Sequence, residues 1–306
     1  MSVTNRKTLL IALMIILSCL IISGCGGSGG SDGGQEKAGS FKIPEFRDAV
    51  FDSGKAEGNG EVKVDLSHTS EGYVSLKANS NSRLKIQITK GSDEYLYDIV
   101  QGEQQVFPLQ SGNGSYSIRV MKNAGGSQYF ELYSTTADVK LKDEFEPFLR
   151  PNQYADYAKD SKCVKQAKKL ASSSSDEKDY IIKVYDYINE RIKYDKKKAA
   201  SMDTGYIPEP DSTLAERKGI CFDYASLAAS MLRSMGVPTK IIFGYVEPND
   251  LYHAWNMFYT KEDGWTSVEF KVDPNDWNRI DLTFSANGED EEFIGDGSNY
   301  TDVYEY

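Results

Sequence analysis

The stretch Arg217-Lys218-Gly219-Ile220-Cys221-Phe222-Asp223-Tyr224-Ala225-Ser226-Leu227-Ala228-Ala229-Ser230-Met231-Leu232-Arg233-Ser234-Met235 decides how the second half of this chain folds. Ala225, Ala228, Leu232 and Met235 recur at helical spacing, and Gly236 with Pro238 closes the run. A helix therefore opens at Cys221. A thiol in that position feels the positive end of the helix macrodipole and the unpaired N–H groups of the first turn, and both favour the thiolate. The same N–H groups suit an oxyanion. Asp223 works against this, because a nearby carboxylate raises a thiol's pKa, so it is expected to face water and complement the dipole. By position alone, Cys221 reads as a small buried core residue.

The sequence downstream changes that reading. His253-Ala254-Trp255-Asn256-Met257-Phe258-Tyr259 reads as a strand, Lys261-Glu262-Asp263-Gly264 as a hairpin turn, and Trp265-Thr266-Ser267-Val268 as the returning strand. Arg279-Ile280-Asp281-Leu282-Thr283-Phe284 is a further short strand, on which alternation sets Asp281 and Thr283 on one face. A carboxylate on a strand beside the histidine strand can accept from one ring nitrogen and aim the other at a thiol. Cys221, His253 and Asp281 are thus the expected catalytic set.

Between residues 143 and 220 the chain reads as helical. Tyr154 to Ala171 forms one helix, and Ser174 with Glu177 makes a capping box for the next. Ile181, Ile182, Tyr185, Ile188 and Ile192 mark that helix's buried stripe. The loop Gly205-Tyr206-Ile207-Pro208-Glu209-Pro210 leads to a short helix beginning near Thr213 and ending at Gly219.

From Phe41 to about Asp138 the pattern is different. Runs such as Glu61–Leu66, Tyr73–Leu76, Arg83–Ile88 and Tyr116–Val120 alternate with period two. Turn-formers at Glu57–Gly60, Ser111–Gly114 and Asn123–Gly126 separate them, which predicts an antiparallel β-sandwich of seven or eight strands. Its tyrosines are read as core or cross-strand pairs, and His68 as a strand histidine without a motif.

The first 40 residues carry address rather than fold. Arg6 and Lys7 precede an apolar run from Leu9 to Ile22, too short to span a bilayer and suited to a secretory signal. The run ends in Ile22-Ser23-Gly24-Cys25, which resembles a bacterial lipobox. Cys25 is therefore the expected lipidation site after loss of residues 1–24. Residues 26–40, GGSGGSDGGQEKAGS, form a flexible linker that would hold the folded part away from the lipid surface.

Lys plus Arg number 35 against 46 Asp plus Glu, and the net charge of -11 without a basic cluster argues against a nucleic-acid partner. Of four cysteines only Cys163 and Cys221 fall in the folded part. With two histidines and no zinc spacing, neither a metal site nor a cofactor is expected.

The blocks Arg217–Ala225, Leu232–Pro238, Gly244-Tyr245-Val246, Tyr252-His253-Ala254-Trp255-Asn256 and Trp277–Phe284 together resemble the transglutaminase-like domain of bacterial secreted proteins, over roughly residues 176–285. The resemblance implies a papain-like core with the nucleophile on a central helix and histidine and aspartate on a packed sheet. The overall expectation is an α+β chain: β-sandwich over 41–142, then a transglutaminase-like domain over 143–306. In this family an acid often sits four residues after a tryptophan past the histidine strand. Trp265 to Glu269 and Trp277 to Asp281 both satisfy this. Asp281 is favoured because Leu282-Thr283-Phe284 continues the pattern, with Glu269 as the alternative acid. Trp255, Asn256 and Tyr194 are expected to shape the site; Tyr194 is a candidate donor toward an oxyanion, although a core or loop tyrosine is its stronger reading.

The expected function is a cell-surface thiol enzyme that acts on amide or peptide carbonyls of protein or cell-wall-associated substrates. It would be held to the outer face of the membrane by its lipid. Whether the acyl group goes to water or to an amine is open at this stage. The alternative is a non-catalytic surface module on the same fold.

Overall fold

The computed structural model describes residues 40–203, 205–246, 251–272, 280–285 and 300–306. The leader, Cys25, nearly all of the linker and the segment Trp277–Arg279 lie outside the described residues.

The alternating runs form eight strands: β1 (Glu57–Gly58), β2 (Val62–Asp65), β3 (Tyr73–Ala78), β4 (Leu84–Lys90), β5 (Asp93–Ile99), β6 (Gln104–Pro108), β7 (Gly114–Gly125) and β8 (Gln128–Val139). They make two four-stranded sheets, ordered β1-β2-β3-β6 and β5-β4-β7-β8, with every pairing antiparallel. Val64, Leu76, Ile86 and Ile118 point inward and are buried, as period-two alternation requires. Tyr95, Tyr97 and Tyr116 are also buried. One turn differs from expectation, since β7 runs through Asn123 to Gly125. Asn123 serves the turn from within the strand, its Nδ2 donating to the carbonyls of Gly126 at 2.9 Å and Gln128 at 3.2 Å.

Next come α1 (Lys162–Ser172), α2 (Glu177–Arg191), β9 (Lys193–Tyr194), α3 (Lys196–Ser201), α4 (Pro210–Glu216), β10 (Lys218–Gly219) and α5 (Cys221–Ser234). Helix α1 starts at Lys162 rather than Tyr154. Asn152 Oδ1 first folds a turn by accepting from the N–H groups of Tyr154 and Ala155, both at 3.0 Å. The Asp211 carboxylate then accepts from the N–H groups of Lys162 (2.9 Å) and Cys163 (2.8 Å), capping α1 from a distant segment. Ser174 does not cap α2; its hydroxyl donates to Leu170 O at 2.8 Å, and Asp176 takes the Asp179 N–H instead. The buried stripe of α2 is Tyr180, Ile181, Val184, Tyr185 and Ile188, leaving Ile182 40 % exposed. Helix α4 begins at Pro210, whose fixed φ suits a first helical position, and ends on Arg217 in the left-handed region (φ 56°), not on Gly219.

Helix α5 is buried all round from Phe222 to Ser234, not on one stripe. One side, including Tyr224, Leu227 and Met231, packs with Tyr180 and Val184 of α2. The other side, including Phe222, Ala225 and Ala229, joins the core of the sandwich and Ile241 and Ala254 of the final sheet. That sheet comprises β11 (Thr239–Val246), β12 (Leu251–Thr260), β13 (Gly264–Val272), β14 (Ile280–Ser285) and β15 (Tyr300–Glu305). Its order is β14-β13-β12-β11-β15, antiparallel throughout. The aromatic end folds back over 300–306: Tyr306 is buried, its ring 5.4 Å from Tyr97, 4.8 Å from Tyr154 and 5.6 Å from Phe243. The described residues fall within one compact unit. The fold is therefore mixed α+β, with antiparallel sheets followed by a helix-and-sheet domain.

Candidate active site

Cys221 is the first residue of α5, so the helix N-terminus holds its thiol, which is partly exposed. His253 lies on β12 and is 7 % exposed. The imidazole lies close enough to act on the thiol, as do the backbone N–H groups of Ala254 and Phe222. Burial alone would push the Cys221 thiol up. The His253 charge and these donors outweigh it, and the thiol is held below its ordinary value. The thiol thus sits where helix and sheet meet, with a base on one side and N–H donors on the other.

Trp255 is fully buried two residues beyond His253, and its ring stacks on the imidazole at 6.5 Å and 19°. It fixes the plane of the base. Asn256, also expected to shape the site, does so indirectly: its Nδ2 donates to Ala225 O on α5 at 3.0 Å and to Lys240 O on β11 at 3.2 Å. That buried amide ties the nucleophile helix to the sheet that carries the histidine. Tyr194, at the end of β9, packs against the same apolar cluster as Cys221. Burial, and then the charges of Cys221 and Asp223, push its phenol up to about 12, so it keeps its proton near neutrality.

Asp223 does not face water. It is fully buried, and its carboxylate accepts from Lys198 Nζ at 2.7 Å, the Tyr206 hydroxyl at 2.5 Å and the Ile220 N–H at 2.8 Å. Lys198 also lies over the Tyr206 ring, 4.4 Å from its centroid. The physical reason is Lys198, which supplies an opposite charge that the sequence alone does not place. Gly219 is needed beneath this cluster, because a Cβ there would stand 2.6 Å from Asp223 Cβ.

The two candidate acids occupy different strands. Glu269 follows Val268, the ladder partner of Asn256, on the strand paired directly with β12. Asp281 lies on β14, opposite Lys271 and one strand further from His253.

Cys163 is fully buried on α1, and burial, then Asp211, raises its thiol. His68 stacks on Tyr73 at 5.1 Å within the sandwich, between Asp65 and Glu71. Among the described residues no group of His, Cys, Asp or Glu could hold a metal ion. No helix among them is long and apolar enough to cross a membrane.

Residues 164–270 match the transglutaminase-like superfamily. They form a transglutaminase-like domain. The match begins and ends earlier than the motif blocks suggested, enclosing Cys221, His253 and Glu269 and stopping short of Asp281. An uncharacterized protein of Mycobacterium leprae is 31% identical over 102 residues, 29% of this chain and 31% of that protein. A protein-glutamine gamma-glutamyltransferase of Pseudomonas aeruginosa is 32% identical over 78 residues, 22% of this chain and 12% of that protein. This chain thus spans less than a third of either relative. Among solved structures, a candidate cysteine protease from Cytophaga hutchinsonii aligns over 75% of this chain and 98% of its own, at 16% identity and TM-score 0.39. Red sea bream transglutaminase aligns over 64% and 47%, at 13% identity and TM-score 0.29. The transglutaminase-like domain is the fold of a cysteine-dependent enzyme or a close relative of one.

Proposed function

We propose that the chain is a thiol acyl-transfer enzyme, with Cys221 as nucleophile and His253 as general base and then acid. The observation that carries this is the placement of His253 beside Cys221 at the N-terminus of α5, where its charge helps hold the thiol low. Cys221 Sγ attacks an amide carbonyl carbon, and the oxygen takes up the negative charge. The first-turn N–H groups and the Tyr194 phenol are its candidate donors. His253 gives its proton to the departing amine as the C–N bond breaks, leaving a thioester. It then takes a proton from water or from an incoming amine, whose attack releases the thiolate.

Strand position favours Glu269 over Asp281 as the acid that orients His253. Adjacent strands stand about 4.8 Å apart, within reach of a direct hydrogen bond, whereas two strands span about twice that. The extent of the family match supports the same choice.

The leader and Cys25 support export and lipid anchoring, which places the substrates among proteins or peptides outside the membrane. The decisive experiment presents a glutamine-containing peptide with and without a primary amine and follows product mass. Free acid signals hydrolysis and an amine adduct signals transfer, both lost in Cys221→Ala and His253→Ala. Product formation that survives Cys221→Ala contradicts the assignment.

A further inference from the structure

The face of the sheet beside the thiol carries an aromatic surface that the chemistry above does not use. Ladder partners in an antiparallel sheet share a face. Tyr252 on β12 pairs with Tyr245 on β11, and Phe243, two residues back on β11, pairs with Ala254 on one side and Tyr304 of β15 on the other. Four aromatic rings from three strands therefore line one side. Three of them touch: Tyr252 lies 5.4 Å from Tyr245 and stacks on Phe243 at 6.1 Å and 21°. Yet Tyr252 is 51% exposed, and Tyr245 and Tyr304 are each 43% exposed.

This surface is continuous with the reaction centre. Tyr252 lies near enough to Cys221 for the thiol's charge to help push its phenol up, after burial and the Tyr245 and Tyr304 phenols. Ala254, whose N–H reaches the thiol, is the small residue in the row with Phe243 and Tyr304. Cys221 and Phe243 pack against the same apolar cluster. Exposed tyrosines in contact with one another suit a partner that is apolar in its body and hydrogen-bonding at its edge. A charged side chain would find no counter-ion among these rings.

We propose that Tyr245, Tyr252 and Tyr304, floored by Phe243, form a subsite that holds an aromatic or bulky apolar side chain of a polypeptide acyl donor next to the amide attacked by Cys221. This deepens the thiol-enzyme assignment and rests on it. All three tyrosines are exposed, so the subsite selects by ring contact and not by enclosure.

The test uses two peptidyl chloromethyl ketones of equal length, one carrying Phe and the other Ala at the residue beside the reactive carbon. Each inactivation rate is divided by the iodoacetamide alkylation rate of Cys221 in the same variant. On the unaltered chain the Phe reagent is expected to react about tenfold faster, as sheltering much of a phenyl ring from water implies. Tyr252→Ala and Tyr304→Ala should reduce the ratio to about twofold or less, while Tyr252→Phe, which keeps the ring, should retain it. Equal rates for the two reagents, or a preference that survives both alanine variants, overturns the subsite. If rates are equal and an N-acetylglucosamine oligomer slows both, the rings serve a sugar, and the peptide proposal is likewise overturned. Failure of the enzyme assignment looks different: iodoacetamide would then label Cys221 no faster than an ordinary thiol.

Discussion

The imidazole of His253, on the third strand of a five-stranded sheet, lies beside the thiol of Cys221 at the first residue of a helix buried on every side. Neither element could drift without moving the other. Asn256, three residues after the histidine, donates from β12 into the carbonyl of Ala225, four residues after the cysteine.

That tether gives a first prediction. Asn256→Ala removes two buried hydrogen bonds and leaves the carbonyls of Ala225 and Lys240 short of a donor. Chemical denaturation should show a loss of about 2–4 kcal/mol. Asn256→Asp should be worse than Ala at neutral pH, because it buries a charge facing two carbonyls.

Lys198 gives a second. It is about a third exposed, so solvent screens its pairing with fully buried Asp223. Lys198→Met should cost about 1–2 kcal/mol rather than the larger figure for a wholly buried pair. It should also shift the alkylation profile of Cys221 to higher pH, since the Asp223 charge then acts on the thiolate without a counter-charge. An unchanged profile would show that Asp223 and Lys198 are structural only.

Gly219→Ala is the third. The added Cβ would meet Asp223 Cβ at 2.6 Å, a contact that backbone must move to relieve. A loss of about 1–3 kcal/mol is expected, with slower alkylation of Cys221, because the displaced Asp223 no longer holds the Ile220 N–H at the helix start. Gly264→Ala is the control: a Cβ there meets nothing, although φ is 73°.

The acids give a fourth. Glu269→Gln should raise the pH at which Cys221 becomes reactive and lower turnover by about a hundredfold or more, whereas Asp281→Asn should change turnover less than about threefold. The reverse ranking would restore Asp281, which the sequence pattern favoured.

Much of this site was legible from residue pattern because its parts are local. A helix opening at Cys221 follows from apolar spacing and the Gly236 stop, and a strand at His253 follows from period-two alternation with its hairpin turn. What failed to show depends on partners far along the chain. Asp211 caps α1 across 48 and 49 residues, so the helix start at Lys162 has no local signature. Asp223 read as solvated because nothing near it in sequence reveals Lys198, 25 residues earlier. Glu269 and Asp281 stand on different strands, β13 and β14, an order that motif spacing does not contain. Helix α5 carries Ser226 and Ser230, which imitate a polar face, yet both are buried.

The most direct measurement is the pH dependence of Cys221 alkylation by iodoacetamide, with and without His253→Ala, read by mass spectrometry so that Cys163 serves as the inert reference. The unaltered chain should show thiolate reactivity with a midpoint below the ordinary thiol value of about 8.5. His253→Ala should move that midpoint upward, because only the Ala254 and Phe222 N–H groups then oppose burial, and Cys163 should remain unlabelled throughout. A midpoint at or above the ordinary value that His253→Ala leaves unchanged would contradict the account.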